Sequence, residues 1–264
     1  MEGAVDISYW SMLWAFVLLV PVILIGIYLR LGFVTELLIA TGRMTLQLAL
    51  VAVYLEFLFK LNNSWLNITY GLVMASVAGF AIIQSSKISY RLFWKSVILS
   101  IIIPYSVVLI FFNSVIIQLE HIFDAQYIIV VGGMILGNIL GINIFVLSSF
   151  CKAAHIENNT YLSMIGMGAS KIEALLPIIV HTIRITFMPT IAKMATIGLV
   201  SLPGMMTGQI LGGSSPTIAI KYQIAIMLAI LCSGFLSICL QIFFAVKVAY
   251  NNYDVLHSSV FRKK

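Results

Sequence analysis

Gly198-Leu199-Val200-Ser201-Leu202-Pro203-Gly204-Met205-Met206-Thr207-Gly208-Gln209-Ile210-Leu211-Gly212-Gly213 is an apolar stretch long enough to enter a bilayer, yet it carries a proline and several glycines where a helix should run. Proline removes a backbone donor and glycine adds conformational freedom, so the spacing predicts a helix broken inside the membrane. In hydrocarbon the freed carbonyls need protein neighbours or a water-lined cavity. The expectation is a segment in the protein interior rather than against lipid, and such a break points to a pathway.

Working outward, seven apolar segments approach or exceed the about 20 residues needed to cross about 30 Å of hydrocarbon. They run near 10 to 29, 43 to 60, 65 to 86, 93 to 118, 126 to 150, 190 to 213 and 218 to 247. Of 264 residues 61% are hydrophobic and 9% charged, and the mean hydropathy is +1.09, which excludes a soluble domain of this length. The expected fold is all-α: a polytopic transmembrane helix bundle of about seven spans, forming a single transmembrane domain over 1–264. The stretch from Trp10 to Leu29 is too long for a signal h-region and has Glu2 and Asp6, not basic residues, before it, so it reads as a retained first span.

The net charge of +6 comes from Lys and Arg spread singly rather than from a patch, which argues against a nucleic-acid partner. With the amino terminus outside, Arg30, Arg43, Lys87, Arg91, Lys95, Lys152, Lys171, Arg184, Lys193, Lys247, Arg262, Lys263 and Lys264 fall on the cytoplasmic side, against Lys60 and Lys221 outside. An odd number of spans then places the carboxyl terminus in the cytoplasm. Cys151, Cys232 and Cys239 form no CxxC and no even set, so no disulfide or metal cluster is assigned.

The longest polar interruption, about 151 to 188, reads as a cytoplasmic hairpin: a short helix, a turn at Gly168-Ala169-Ser170, and a longer helix leading into the sixth span. It either docks a partner or lies on the membrane surface. Leu31 to Thr41 reads as a second surface or elbow helix. Gly133, Gly137 and Gly141 recur every fourth residue, as do Gly204, Gly208 and Gly212, which predicts close helix packing in spans five and six. Asn138, Asn143, Thr207 and Gln209 are polar groups at membrane depth that need partners or a cavity. Arg43 and Gln47, one turn apart, share a face, where anchoring and lining are both open.

No nucleophile and base constellation, phosphate loop or zinc spacing is present, so the chain is not expected to hydrolyse ATP or to bind a cofactor itself. Met205 and Met206 beside the break offer thioethers to a soft ion, and Glu120, His121 and Asp124 offer oxygen and imidazole donors, though core filling and a solvated loop explain these residues as simply.

Four ordered blocks, Gly42-Arg43-Met44-Thr45-Leu46-Gln47-Leu48, Gly133-Met134-Ile135-Leu136-Gly137-Asn138, Gly198 through Gly208, and Ala219-Ile220-Lys221-Tyr222-Gln223-Ile224, resemble the FetB-like permeases, the membrane subunits of an iron-export ABC transporter with plant relatives linked to aluminium tolerance. The resemblance implies a bacterial-type inner or plasma membrane location, an export permease assembled as a homodimer in lipid, and ATP and Mg bound by a separate ATPase subunit. It implies that Gly168, Ala169 and Ser170 form the turn that docks that ATPase, and that Gln47, Asn138, Pro203, Gly204, Met205 and Met206 belong to the pathway. Two departures stand out. Relatives tend to carry an acid about five positions before the docking glycine, where this chain has Ser163, and an Asp and Lys pair before Gly198, where it has Ala192 and Ala195 with Lys193 between them. The rival readings are an ABC permease for a lipid-like or sugar-nucleotide substrate and a gradient-driven secondary transporter, the latter disfavoured because Glu56 is the lone acid placed within a span.

Overall fold

The computed structural model describes residues 7–251 and 254–257, with Tyr9 by its backbone alone. Glu2 and Asp6 at one end and Arg262, Lys263 and Lys264 at the other lie outside the described residues. Helices α1 (Tyr9–Ala15) and α2 (Val20–Tyr28), joined by a 3-10 turn at Phe16–Leu19, make the first apolar run. There follow α3 (Val34–Leu61), α4 (Ser64–Ser86), α5 (Tyr90–Phe111) with a π-helical turn at Phe112–Ile116, α6 (Ala125–Ile156), α7 (Asn158–Gly166), α8 (Lys171–Thr196), α9 (Gly204–Leu211) and α10 (Pro216–Ala249). The described residues contain no β-strand, only the isolated bridges Ile197–Ser201 and Tyr250–Leu256.

Seven of these runs are long and apolar enough to cross a membrane: Trp10–Tyr28, Val34–Leu61, Ser64–Ser86, Tyr90–Ile116, Ala125–Ile156, Lys171–Thr196 and Pro216–Ala249. The number agrees with the sequence, but two boundaries do not. The stretch 31 to 41 is no separate elbow, because α3 runs unbroken from Val34. Gly42 is tolerated inside it, and Thr41 and Thr45 donate their hydroxyls back to the Leu37 and Thr41 carbonyls at 2.9 and 3.0 Å. The sixth span is α8, not 190 to 213. Its glutamate, histidine, arginine and two internal prolines, Pro177 and Pro189, lower its apolar signal, yet the helix is continuous from Lys171 to Thr196. The greasier residues after it break into a loop and the eight-residue α9, about 12 Å long and too short to span.

The chain divides into two compact units, one taking the chain up to Leu61 with Gly208–Ser215, the other Asn62–Thr207 and the chain from Pro216 onward. In the first unit the helices bury little of themselves: 6% of the best window in each of its two spans is buried within the chain. The second unit holds the core. Its helices start on defined caps: Asn63 Oδ1 accepts from the Trp65 amide at 3.0 Å, Asp124 Oδ1 from the Gln126 amide at 2.9 Å, and Pro216 opens α10, where its missing donor costs nothing.

Apolar packing in this unit is threaded by a polar ladder. Ser100 Oγ on α5 donates to Gln241 Oε1 on α10 at 2.6 Å, Ser237 Oγ on α10 donates to the Ser100 carbonyl at 2.8 Å, and Asn143 Nδ2 on α6 donates to Ser237 Oγ at 2.8 Å. All four side chains are fully buried. Nearby, the Tyr105 ring on α5 fills the hollow left by two glycines. A Cβ on Gly71 of α4 would lie 3.0 Å from the tyrosine Oη, and one on Gly132 of α6 only 2.6 Å from it.

Because Tyr105 is 3% exposed and has Gly71 on its other flank, it cannot step aside for a methyl at Gly132. Gly132→Ala is expected to destabilise the bundle by about 1–3 kcal/mol, read as a lowered melting temperature in detergent. Removing the hydroxyl in the Gly132→Ala/Tyr105→Phe pair should recover part of that loss; equal melting of both variants and the parent would refute the close fit.

Candidate functional site

Two backbone features answer to the predicted site residues: the turn between α7 and α8, and the break between α8 and α9. At the first, α7 ends in a left-handed Gly168, φ +96°, a conformation that penalises any side chain. The Gly168 amide donates to the Ile165 carbonyl at 2.9 Å and the Ala169 amide to the Met164 carbonyl at 3.0 Å, the paired bonds of a Schellman termination. Ser170 then caps α8 in a reciprocal box. Its Oγ accepts from the Glu173 amide at 3.4 Å while its own amide donates to Glu173 Oε2 at 2.8 Å. A helix stop and a helix start are thus fused in four residues, and Met167 and Ile172 stand out from them 80% and 68% exposed. The predicted short helix, tight turn and longer helix are all present. Ser163, at the position where the resemblance leads one to expect an acid, returns its hydroxyl to the Asn159 carbonyl at 2.9 Å.

The break lies elsewhere than the sequence suggests. α8 is about 39 Å long, enough to cross the hydrocarbon, so Ile197 to Pro203 falls at the end of a span and not in its middle. The chain reverses there on Gly198, φ +86°, whose amide donates to the Ser201 carbonyl at 3.0 Å, while the Leu199 and Val200 amides donate to the Thr196 carbonyl at 3.3 and 3.0 Å. These local bonds replace the interior partners expected from the sequence. Within the chain the loop is not buried: Leu199 and Val200 are 89% and 80% exposed. Lys193, Ala192 and Ala195, where the expected charged pair is missing, are exposed on the last turns of α8.

The remaining predicted residues are scattered. Met205 is half-buried and packs against the core, Pro203 and Met206 are half-buried, and Gly204 is exposed. Asn138 on α6 spends its amide on the Met134 carbonyl of its own helix at 2.8 Å, and Gln47 is exposed on α3. Of the small-residue stripes, a Cβ on Gly133 would meet Met74 Cε at 3.4 Å, but positions 137, 141 and 208 have nothing within 4 Å, and Gly212 meets carbonyls of its own turn. The Gly133 stripe instead floors a groove of about 390 Å³ between α4 and α6, walled by Tyr70, Met74 and Leu140. Asp124 is a structural cap: beyond the Gln126 amide, its Oδ2 accepts from Asn62 Nδ2 at 3.0 Å. Glu120 and His121 are exposed beside it, and among the described residues no three His, Cys, Asp or Glu converge as a metal cage.

The sequence reading passed over Ser100, Ser237 and Gln241, although Gln241, an amide inside the last span, carried the same signal as Asn143. It also passed over Tyr161 and Asp254, which only the fold brings to the α7–α8 turn.

A family described as "Uncharacterised protein family (UPF0014)" matches residues 9–250. The chain belongs to the UPF0014 family. This UPF0014 chain is 28% identical to the "Probable iron export permease protein FetB" of Escherichia coli (strain K12) over 98% of both chains. It is 36% identical to the "UPF0014 membrane protein slr1647" of Synechocystis over 76% of this chain and 78% of that one. It is 32% identical to the "Protein ALUMINUM SENSITIVE 3" of Arabidopsis thaliana over 73% of this chain and 69% of that one. These relatives bear out the family resemblance of the four sequence blocks, and with the seven apolar helices they make this UPF0014 chain an integral membrane protein. No solved structure matches it.

The left-handed glycine and the capping box make the α7–α8 turn rigid, and each can be removed separately. Gly168→Ala should cost about 1–2 kcal/mol locally and Ser170→Ala about 1 kcal/mol. Amide exchange of residues 167–173 in detergent should accelerate roughly tenfold in either variant while the α5 and α10 cores stay protected; unchanged exchange would mean that the turn is held by something other than its own caps.

Proposed function

We propose that this protein is the membrane-spanning permease subunit of an ABC transporter that exports iron or another metal, driven by ATP bound with Mg and hydrolysed on a separate ATPase chain. The observation that carries the reading is the α7–α8 turn. It is a preorganised knob outside the apolar spans, with exposed Met167 and Ile172, joined without slack to two helices anchored in the core. A rigid projection of this kind loses little conformational entropy on docking and passes displacement directly into α8. The metal reading rests on the printed name of the Escherichia coli relative, which matches end to end.

In this reading the α7–α8 turn is cytoplasmic, as the distribution of Lys and Arg favours, and the amino terminus lies outside. Two permease copies and two ATPases form the working assembly, with the sparsely buried first two spans available for lipid or the second copy. ATP binding closes the ATPases, displaces the paired turns and shifts the population between inward and outward access. Pro203, Gly204, Met205 and Met206, at the far end of α8, and Asn138 and Gln47 are the pathway candidates. Thioethers there would hold a soft ion such as Cu(I) well and a harder one such as Fe(II) only weakly, which suits passage of the latter.

Gly168→Arg is expected to leave membrane insertion intact and abolish co-purification with the partner ATPase; normal co-purification would overturn the docking assignment. In inside-out vesicles, accumulation of labelled iron should require both chains and ATP. ATP hydrolysis without iron movement would redirect the search to another cargo, such as a lipid-like or sugar-nucleotide substrate, and an iron flux indifferent to ATP would favour a gradient-driven transporter.

A further inference from the structure

α10 does not simply end at Ala249. The chain hooks back: the Asp254 amide donates to the Asn251 carbonyl at 3.1 Å, the Val255 amide to Asn251 Oδ1 at 2.9 Å, and the His257 amide to the Ala249 carbonyl at 2.8 Å, so that Tyr250 and Leu256 pair across the turn. Asp254 itself is left-handed, φ +57°. This hook reaches both arms of the α7–α8 turn. Tyr161 on α7 donates its Oη to the Asp254 carbonyl at 2.9 Å, and Lys171, the residue directly after Ser170, pairs its Nζ with Asp254 Oδ1 at 2.9 Å. The Lys171 ammonium also lies 5.2 Å from the centre of the Tyr250 ring, and Tyr250 tilts against Tyr161 with ring centres 5.0 Å apart. Tyr161 and Tyr250 are 1% and 3% exposed. One residue, Asp254, therefore holds the first turn of α7, through Tyr161, and the start of α8, through Lys171, to the end of α10.

We propose that Asp254, with Tyr161, Tyr250 and Lys171, forms a latch that positions the α7–α8 turn and makes α10 move with it. The inference rests on the docking role given to that turn above and adds which residues transmit its displacement. Without the latch, a push on the turn enters the bundle through α7 and α8 and reaches α10 only where α8 packs on it, as at the tilted Phe187–Phe235 contact with ring centres 5.1 Å apart. With it, the push is shared with α10, whose polar ladder to α5 and α6 engages the rest of the core. Burial, then the Asp254 carboxylate, raises the Tyr161 phenol above its ordinary value, so a group already protonated at physiological pH ionises still less readily. The Lys171–Asp254 pair is part-exposed, so its worth lies in geometry more than in bulk stability. The latch residues are positioning residues, apart from the cargo route.

The test uses full-length permease reconstituted with its ATPase, with Cys232 and Cys239 changed to Ala and Thr217→Cys introduced at the exposed start of α10. The rate of labelling at position 217 by a membrane-impermeant maleimide, with and without ATP, reports movement at the end of α10 far from the latch without reference to any cargo. The parent should bind the ATPase and show an ATP-dependent change in labelling. Asp254→Ala/Tyr161→Phe should still melt, bind the ATPase and hydrolyse ATP like the parent, while the ATP-dependent change shrinks at least fivefold. The charge exchange Lys171→Asp/Asp254→Lys should restore more than half of it. A double variant that binds the ATPase and keeps the full ATP-dependent change overturns the latch alone. A parent that fails to bind the ATPase overturns the docking reading, and the latch's role in transmission falls with it.

Discussion

The second unit depends first on the pairing of polar groups buried in a low-dielectric bundle, even though Asn143 Oδ1 and Gln241 Nε2 there keep no partner. Ser100, Asn143, Ser237 and Gln241 are surrounded by hydrocarbon, and an unpartnered amide or hydroxyl there costs about 1–3 kcal/mol. Apolar side chains on neighbouring helices can slide by a turn with modest loss, since lipid and leucine are much alike as neighbours. The serine, asparagine and glutamine cannot, because a slip of one residue moves each donor away from its acceptor. The ladder therefore sets the register of α5, α6 and α10, and that register places Tyr105 opposite Gly132 of α6 at one height and the end of α10 beside Tyr161 at another.

Much of this was legible in the sequence, for reasons that follow from the bilayer. A span needs a long apolar run, so the number of helices could be read directly, and Asn143 announced itself as a polar residue where none is tolerated without a partner. The turn at Gly168 was also readable, because a glycine followed by Ser170 and Glu173 writes a helix stop and a capping box into six residues. The sixth span was misplaced because hydropathy measures greasiness rather than helix continuity. Leu199, Val200, Leu202 and Leu211 are greasy but sit in a loop and a short helix, whereas α8 tolerates Glu173, His181, Arg184 and two prolines in an unbroken run. The pathway residues were chosen for their chemistry, and chemistry gives no distance; the bond of Asn138 to its own helix is local information that no residue type carries.

The membrane also explains why the break is solved locally. A reversal at a span's end has water or headgroups on one side, so the Gly198 to Ser201 bond and the donations to Thr196 suffice where a mid-membrane break would need neighbouring helices. The small-residue stripe on α6 shows the converse. Spacing said that something approaches closely, and at Gly133 it does, but Gly137 leaves a groove open along α4 and nothing comes within 4 Å of position 141.

The π-helical turn at Phe112–Ile116 changes how the end of α5 is to be counted. Up to that point the inward face keeps the helical rhythm: Ile101, Pro104, Tyr105, Val108, Leu109, Phe112 and Asn113 are all buried. The next member would be Ile116, yet Ile116 is 42% exposed and Ile117 packs against the core in its place, because the Ile117 amide bonds to the Phe112 carbonyl five residues back. One additional residue advances the phase by about 100°. A gapless alignment of a strictly α-helical relative through this segment would therefore pair its inward residues with outward ones here, and conservation scored at 114 to 118 would describe the wrong face of the helix.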